Sequence, residues 1–253
     1  MSTHDHRTRA SGTATVGALA GLAMGSYLLP ALAGARPVCL PRSPAPISPA
    51  LRRSLGVEDR TASGRGYALT FDDGPHAQGT PAVLEILAAA DVRATFFLVG
   101  EQVRRNPALA GEIVAAGHEI GLHCDRHRNL LRLAPWQVRA DIARAQDTIE
   151  AASARAIALY RPPYGVLNAA ALQLARAHGW RTLLWSHWGR DWQARATPAS
   201  IAARVTAAAG EGSVLLLHDA DDYSSHDSWR RTAAALPRVL DTLAQRGLQP
   251  VVP

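Results

Sequence analysis

From Tyr67 to the C-terminus, short apolar runs alternate with longer alanine-rich stretches of helical pattern. The runs at 67–71, 94–99, 118–123, 159–161, 182–186, 214–218 and 248–252 have the length and composition of strands. Between them, 81–90, 107–116, 135–154, 169–178, 198–209 and 229–246 read as helices. Several of these begin at proline, which the first helical position tolerates because its N–H has no intrahelical partner. Gly117, Gly179 and Gly247 follow three of them, where a C-cap favours a residue free to turn left-handed. Seven strands and six helices in strict alternation predict parallel βα units.

The polar positions then separate two arrangements of those units. Asp72 and Asp73 follow the first strand, His123 and His127 the third, Arg161 the fourth, Asp191 the fifth, and His218 and Asp219 the sixth. A barrel opens all these strand ends on one face, whereas an open sheet gathers ligands at a single crevice. Five contributing strands are too many for one crevice, so a βα barrel is expected.

The first sixty residues follow another pattern. Residues 10–35 carry no charge, are rich in Ala, Leu and Gly, and have Arg7 and Arg9 before them. With Ala31-Leu32-Ala33 near the end, this is the layout of a secretory signal or a membrane anchor. The stretch exceeds the roughly 20 residues that span a bilayer, although Pro30 and its many small residues count against a firm span. Arg7 and Arg9 predict a cytoplasmic N-terminus and a domain outside the membrane, anchored or secreted. Residues 36–64, with Pro37, Pro41, Pro44, Pro46 and Pro49, read as an extended linker, and residues 65–253 as the folded domain.

Composition narrows the chemistry. The chain has 253 residues, 47% of them hydrophobic, and all 27 of its basic residues are arginine. Without lysine there is no Schiff base, lysine nucleophile or P-loop lysine. Seven arginines against Asp5, Glu58 and Asp59 put +4 of the formal +6 charge before residue 61. The remaining +2 shows no arginine stripe with interleaved aromatics, so no nucleic-acid partner is expected. Cys39 and Cys124 sit in such different contexts that no disulfide is expected between them.

Asp73, His123 and His127 supply one carboxylate and two imidazoles, a donor set that suits a zinc-like divalent ion with positions left open. Taken alone, the two histidines also fit a surface helix, and Asp72-Asp73-Gly74-Pro75 also fits an ordinary turn. Adjacent carboxylates on an extended segment point opposite ways, so one can bind metal while its neighbour serves as a base.

Thr70-Phe71-Asp72-Asp73-Gly74-Pro75, His123-Cys124-Asp125-Arg126-His127, Arg161-Pro162-Pro163-Tyr164-Gly165, Asp191-Trp192 and Leu215-Leu216-Leu217-His218-Asp219 occur in that order. Together they resemble the five motifs of the polysaccharide deacetylase (NodB homology) family, carbohydrate esterase family four, over roughly residues 65–250. The resemblance implies a distorted, incomplete (β/α)7 barrel and metal-dependent removal of N-acetyl groups from a peptidoglycan- or chitin-type polysaccharide. It implies that Asp73, His123 and His127 hold Zn²⁺ or another divalent ion such as Co²⁺. Asp72 would be the base, oriented by Arg161, and His218 the acid, paired with Asp191. The Tyr164 backbone N–H would meet the oxyanion, and Tyr164, Trp192 and Leu216 would line the acetyl pocket.

Two positions depart from the family pattern. Cys124 stands where Ser or Thr usually follows the first histidine, and Trp188 where many relatives carry an aspartate. An O-deacetylase resembling acetylxylan esterases and a catalytically silent glycan-binding relative are the alternatives. The intact base, acid and three ligands argue against silence. A two-histidine-one-carboxylate iron oxygenase is disfavoured, since the close His-x-Asp pair such sites use is absent.

Overall fold

The computed structural model describes residue 52 and residues 54–253. The expected signal or anchor segment and most of the expected linker lie outside these residues. No helix among the described residues is long and apolar enough to cross a membrane.

Eight strands form one sheet: β1 (Val57–Glu58), β2 (Tyr67–Asp72), β3 (Thr95–Val99), β4 (Glu119–Cys124), β5 (Leu159–Tyr160), β6 (Arg181–Leu183), β7 (His187–Trp188) and β8 (Ser213–His218). Their spatial order is β1-β6-β5-β4-β3-β2-β8-β7, and every pairing is parallel. All residues of β2 and β3 are buried, which is why both read as continuous apolar runs rather than alternating ones. Six helices lie between the strands in sequence and a seventh follows the last: α1 (Gly79–Ala89), α2 (Gly100–Arg105), α3 (Pro107–Ala115), α4 (Pro135–Ser153), α5 (Ala169–Ala177), α6 (Pro198–Thr206) and, after β8, α7 (Ser228–Gln245). The three predicted C-cap glycines, Gly117, Gly179 and Gly247, take φ of 84°, 69° and 72°.

The passage from β6 to β7 curls the sheet. β6 lies next to the β1 end and β7 is the opposite end, yet only residues 184–186 separate them. Four residue steps reach about 14 Å at most, so the two ends must approach each other. Leu184 N–H donates to Glu58 O at 2.7 Å on one side of the seam, and Ser186 N–H donates to Val214 O at 2.9 Å on the other. Among the described residues β1 and β7 do not pair, leaving the barrel incomplete.

Arg161 braces the interior where strand pairing does not close it. Its Nε and Nη2 donate to Leu183 O and Leu184 O at 2.9 and 3.0 Å, while Nη1 reaches Thr70 Oγ1 at 2.8 Å and Asp72 Oδ1 at 2.6 Å. The guanidinium also lies 3.9 Å from the Phe97 ring centroid. Arginine's fixed fork suits such a multi-donor position.

The expected elements hold with four corrections. Residues 248–252 form a single bridge at Pro250 beside Tyr67 rather than a strand, because proline supplies no N–H to a ladder. The expected 182–186 strand stops at Leu183, where the chain leaves one sheet edge for the other as β7. α2 was not anticipated; six residues are too few to show a helical period. β1 falls within the stretch read as linker, and its pairing with β6 extends the folded unit upstream of residue 65.

Candidate active site

The strand ends converge as the sequence pattern predicts. β2 ends on Asp72, and Asp73 turns to φ 79°, a left-handed conformation uncommon for residues other than glycine. The following Gly74 is required by close approach: a Cβ there would lie 2.5 Å from Asp219 Oδ2. This tight passage turns Asp73 toward the end of β4 while Asp72 stays against Arg161.

Asp73, His123 and His127 bring one donor atom each to within 4.8 Å of one another. His123 Nε2 is 3.5 Å and His127 Nε2 3.3 Å from Asp73 Oδ1. A tetrahedral ion with bonds of about 2.0–2.2 Å separates its ligand atoms by about 3.3–3.6 Å, so the spacing fits. Asp73 Oδ1 is also buried with no hydrogen-bond partner among the described residues, an arrangement that costs free energy unless a cation answers it. His123 Nδ1 lies 2.7 Å from Arg161 O; a carbonyl only accepts, so Nδ1 carries the proton and Nε2 the lone pair. Burial pushes the Asp73 carboxyl up, but His127, His123 and His218 more than reverse this and hold it below the usual carboxylate range. Burial brings His127 down to about 4, which favours the neutral imidazole that a metal requires.

Cys124 is buried, and burial followed by the charge of Asp141 pushes its thiol well above the usual range. As the neighbour of His123 on a strand it points to the opposite face, which removes it from the donor set. His76, Asp221 and Asp222 form a second cluster of metal-ligand types. His76 Nδ1, however, accepts the Gly79 N–H at 2.9 Å and caps α1, so its neutral ring carries the proton on Nε2, facing Asp221 Oδ1 at 3.5 Å. That tautomer suits a cap rather than a ligand.

Across the cleft, His218 lies at the end of β8. Asp191 accepts both its backbone N–H, at 2.7 Å, and Nδ1–H, at 2.9 Å. Thr232 Oγ1 donates to Asp191 Oδ2 at 2.8 Å, a support from α7 that no sequence motif indicated. Burial drives His218 down, but Asp191 overcomes it and takes the imidazole to about 10. His218 Nε2 is left 3.9 Å from Asp73 Oδ2.

The cleft between these groups has a volume of about 210 Å³ and is lined by Tyr164, Trp192 and Leu216, the three residues expected to hold substrate. Tyr164 sits at φ 60° in a 3₁₀ turn (Pro163–Gly165) and is 45% exposed. Trp185, Trp188, Tyr223 and Ser224 also line the cleft. Trp185 is both buried and cleft-lining. Tyr223 lies in the acidic loop after β8, whose composition resembles any solvated loop.

A family model described as polysaccharide deacetylase matches residues 59–183. The chain is 36% identical over 182 residues to a peptidoglycan-N-acetylglucosamine deacetylase of Bacillus cereus, covering 71% of this chain and 82% of that protein. It is 35% identical over 207 residues to a chitooligosaccharide deacetylase of Bradyrhizobium sp., covering 79% and 93%. Among solved structures, a family 4 carbohydrate esterase from Streptomyces lividans in complex with acetate superposes with a TM-score of 0.65 at 34% identity, covering 73% of this chain and 91% of that one.

Proposed function

The chain belongs to the polysaccharide deacetylase family, and on that footing we propose that it is a metal-dependent hydrolase removing N-acetyl groups from a glycan of the peptidoglycan or chitin type. The observation that carries the metal dependence is the buried, unpartnered Asp73 Oδ1 facing two imidazole nitrogens at 3.3 and 3.5 Å. Asp73, His123 and His127 would hold Zn²⁺, or another divalent ion such as Co²⁺. When bound, such an ion polarises an amide carbonyl and acidifies water.

The residues around that centre divide the proton work. Asp72 gives Oδ1 to Arg161, which fixes the carboxylate and leaves Oδ2 to take the proton from the attacking water. The Tyr164 N–H, presented by a strained left-handed turn at the mouth, meets the negative charge that develops on the carbonyl oxygen. An amine leaves only when protonated, and His218 carries that proton because Asp191 stabilises the imidazolium. Trp192 and Leu216 shape an apolar slot for the acetyl methyl. The pattern of residues 1–35 supports a site of action outside the cytoplasm, anchored or secreted according to whether that segment is removed.

Acetate release from N-acetylglucosamine oligomers, peptidoglycan and acetylxylan, with and without chelator, tests this reading. Release from an N-acetylated glycan, abolished by chelator and restored by Zn²⁺ or Co²⁺, is expected. Release from acetylxylan alone would move the reaction to esters, and no release from any substrate by metal-replete protein would overturn the assignment.

A further inference from the structure

We propose that Tyr223 is a positioning residue for His127, its ring holding that imidazole in place where a ligating histidine would ordinarily be held by a hydrogen bond. This rests on the reading of Asp73, His123 and His127 as metal ligands.

The two histidines of the centre are held by different means. His123 donates Nδ1–H to Arg161 O at 2.7 Å, which sets its tautomer and ring plane. His127 Nδ1 is buried and has no hydrogen-bond partner among the described residues. Histidine ligands almost always donate their second ring N–H to a carboxylate, carbonyl or water, and losing that partner weakens metal binding. Something else must therefore orient the His127 ring.

Two tyrosines enclose it. Tyr223 stacks on His127 with ring centroids 4.6 Å apart and 17° between planes, and Tyr164 meets it edge-on at 4.5 Å and 63°. Tyr164 is 45% exposed, whereas Tyr223 is tied down. The Tyr223 hydroxyl donates to the Glu101 carboxylate and accepts from Gln102 Nε2 at 3.1 Å, both on α2. The next links repeat the tether: Arg105 Nη1 donates to Asp222 Oδ1 at 3.0 Å, and Ser225 N–H donates to Trp192 O at 3.1 Å. The loop after β8 is thus fastened to α2 on one side of the cleft and to the Trp192 backbone on the other, with the Tyr223 ring pressed flat on His127. A stacked ring that cannot swing away keeps the imidazole from rotating and holds Nε2 toward Asp73.

Co²⁺ titration of metal-free wild type, Tyr223→Phe, Tyr223→Leu and Tyr223→Ala, read by the visible absorption of the bound ion, tests the proposal; thermal melts of the metal-free proteins accompany it. Tyr223→Phe keeps the flat ring but loses its hydroxyl tether to Glu101 and Gln102, so it should bind more weakly than wild type and more tightly than Tyr223→Ala. Tyr223→Ala and Tyr223→Leu should bind about 10–100-fold more weakly, the range for losing an outer partner of a ligand, with an altered spectrum and metal-free melting close to wild type. Wild-type affinity and spectrum in both Ala and Leu variants would overturn the proposal. So would a Phe variant as weak as Ala, which would assign the effect to the hydroxyl tether rather than the ring. Failure of the wild type itself to take up Co²⁺ would instead remove the metal-ligand reading on which the proposal rests.

Discussion

Arg161 and Asp72 form an ion pair, Nη1 to Oδ1 at 2.6 Å, in which the side chains are 0% and 3% exposed. Burial pulls the guanidinium below its usual pKa and Asp72 opposes that pull. Breaking a buried pair by removing one partner costs about 3–5 kcal/mol, because the survivor is left charged and unsolvated. Arg161→Gln should therefore melt well below wild type and lose activity. Adding Asp72→Asn removes the stranded carboxylate, so the double variant should recover part of the stability and none of the activity. Denaturant unfolding of the four proteins checks the first claim and acetate release the second; additive losses of stability would count against the coupling.

The proposed metal centre makes a separate prediction that needs no substrate. A ligand that binds only the folded state stabilises it by about 2.7 kcal/mol at a hundredfold excess over its dissociation constant. Thermal melts of the wild type should rise with added Zn²⁺, while Asp73→Ala should show little or no rise, since the carboxylate facing both imidazoles is gone. Equal Zn²⁺-dependent shifts in the two proteins would place the ion elsewhere.

Asp219 ties stability to pH. Its carboxyl is buried, accepts the Thr80 hydroxyl on Oδ2, and leaves Oδ1 without a partner. Burial raises it to about 7 from 3.8. A raised carboxyl favours the protonated folded form. Asp219 therefore adds no penalty below pH 4, subtracts about 1.4 kcal/mol of stability per pH unit between roughly pH 4 and pH 7, and subtracts nothing further above that. Asp219→Asn, which keeps an acceptor for Thr80, should match wild type near pH 4 and exceed it by a growing margin up to pH 7. Unfolding curves across that range, in chelator so that metal release adds no pH term, provide the measurement. A constant difference would show that Asp219 does not titrate there.

The candidate chemical residues were legible because each sits at the end of an apolar run, where the side chain must be either a turn former or functional. Asp72, Asp73, His123, Arg161 and His218 all fell at such ends; all but Arg161 line one cleft, and Arg161 lies buried behind Asp72. What supports them was not legible. Thr232 reaches Asp191 from the second turn of α7, and Thr70 receives Arg161 from inside β2, positions that local pattern gives no reason to single out. The barrel itself was legible from the polar residues at five strand ends, but where the sheet turns was not, since that follows from β6 and β7 pairing near opposite ends of the sheet, a long-range choice that no short window records. Tyr223 escaped for a related reason: its partners, His127 and Glu101, lie about a hundred positions away.

Under the proposed function, Trp192 would set the depth of the acyl pocket. Its ring meets His218 edge-on at 5.4 Å and Trp188 at 5.4 Å, with Trp185 continuing the aromatic wall 6.0 Å beyond Trp188. Three indoles and Leu216 line a largely apolar slot beside His218. Trp192→Ala removes one wall and makes room for a longer chain. It also removes the ring packed on His218, so hydrolysis of the N-acetyl substrate itself should fall. Each methylene accommodated or excluded by an apolar pocket changes selectivity by about 10–200-fold. The ratio of kcat/KM for N-butyryl over N-acetyl glucosamine oligomers should therefore rise by at least about 10-fold in the variant. Leu216→Ala, opening the slot from β8, should move the ratio the same way by a smaller amount because less volume is removed. Chromatographic measurement of the two released acids gives the ratios; an unchanged ratio in both variants would mean that the acyl group lies elsewhere in the cleft.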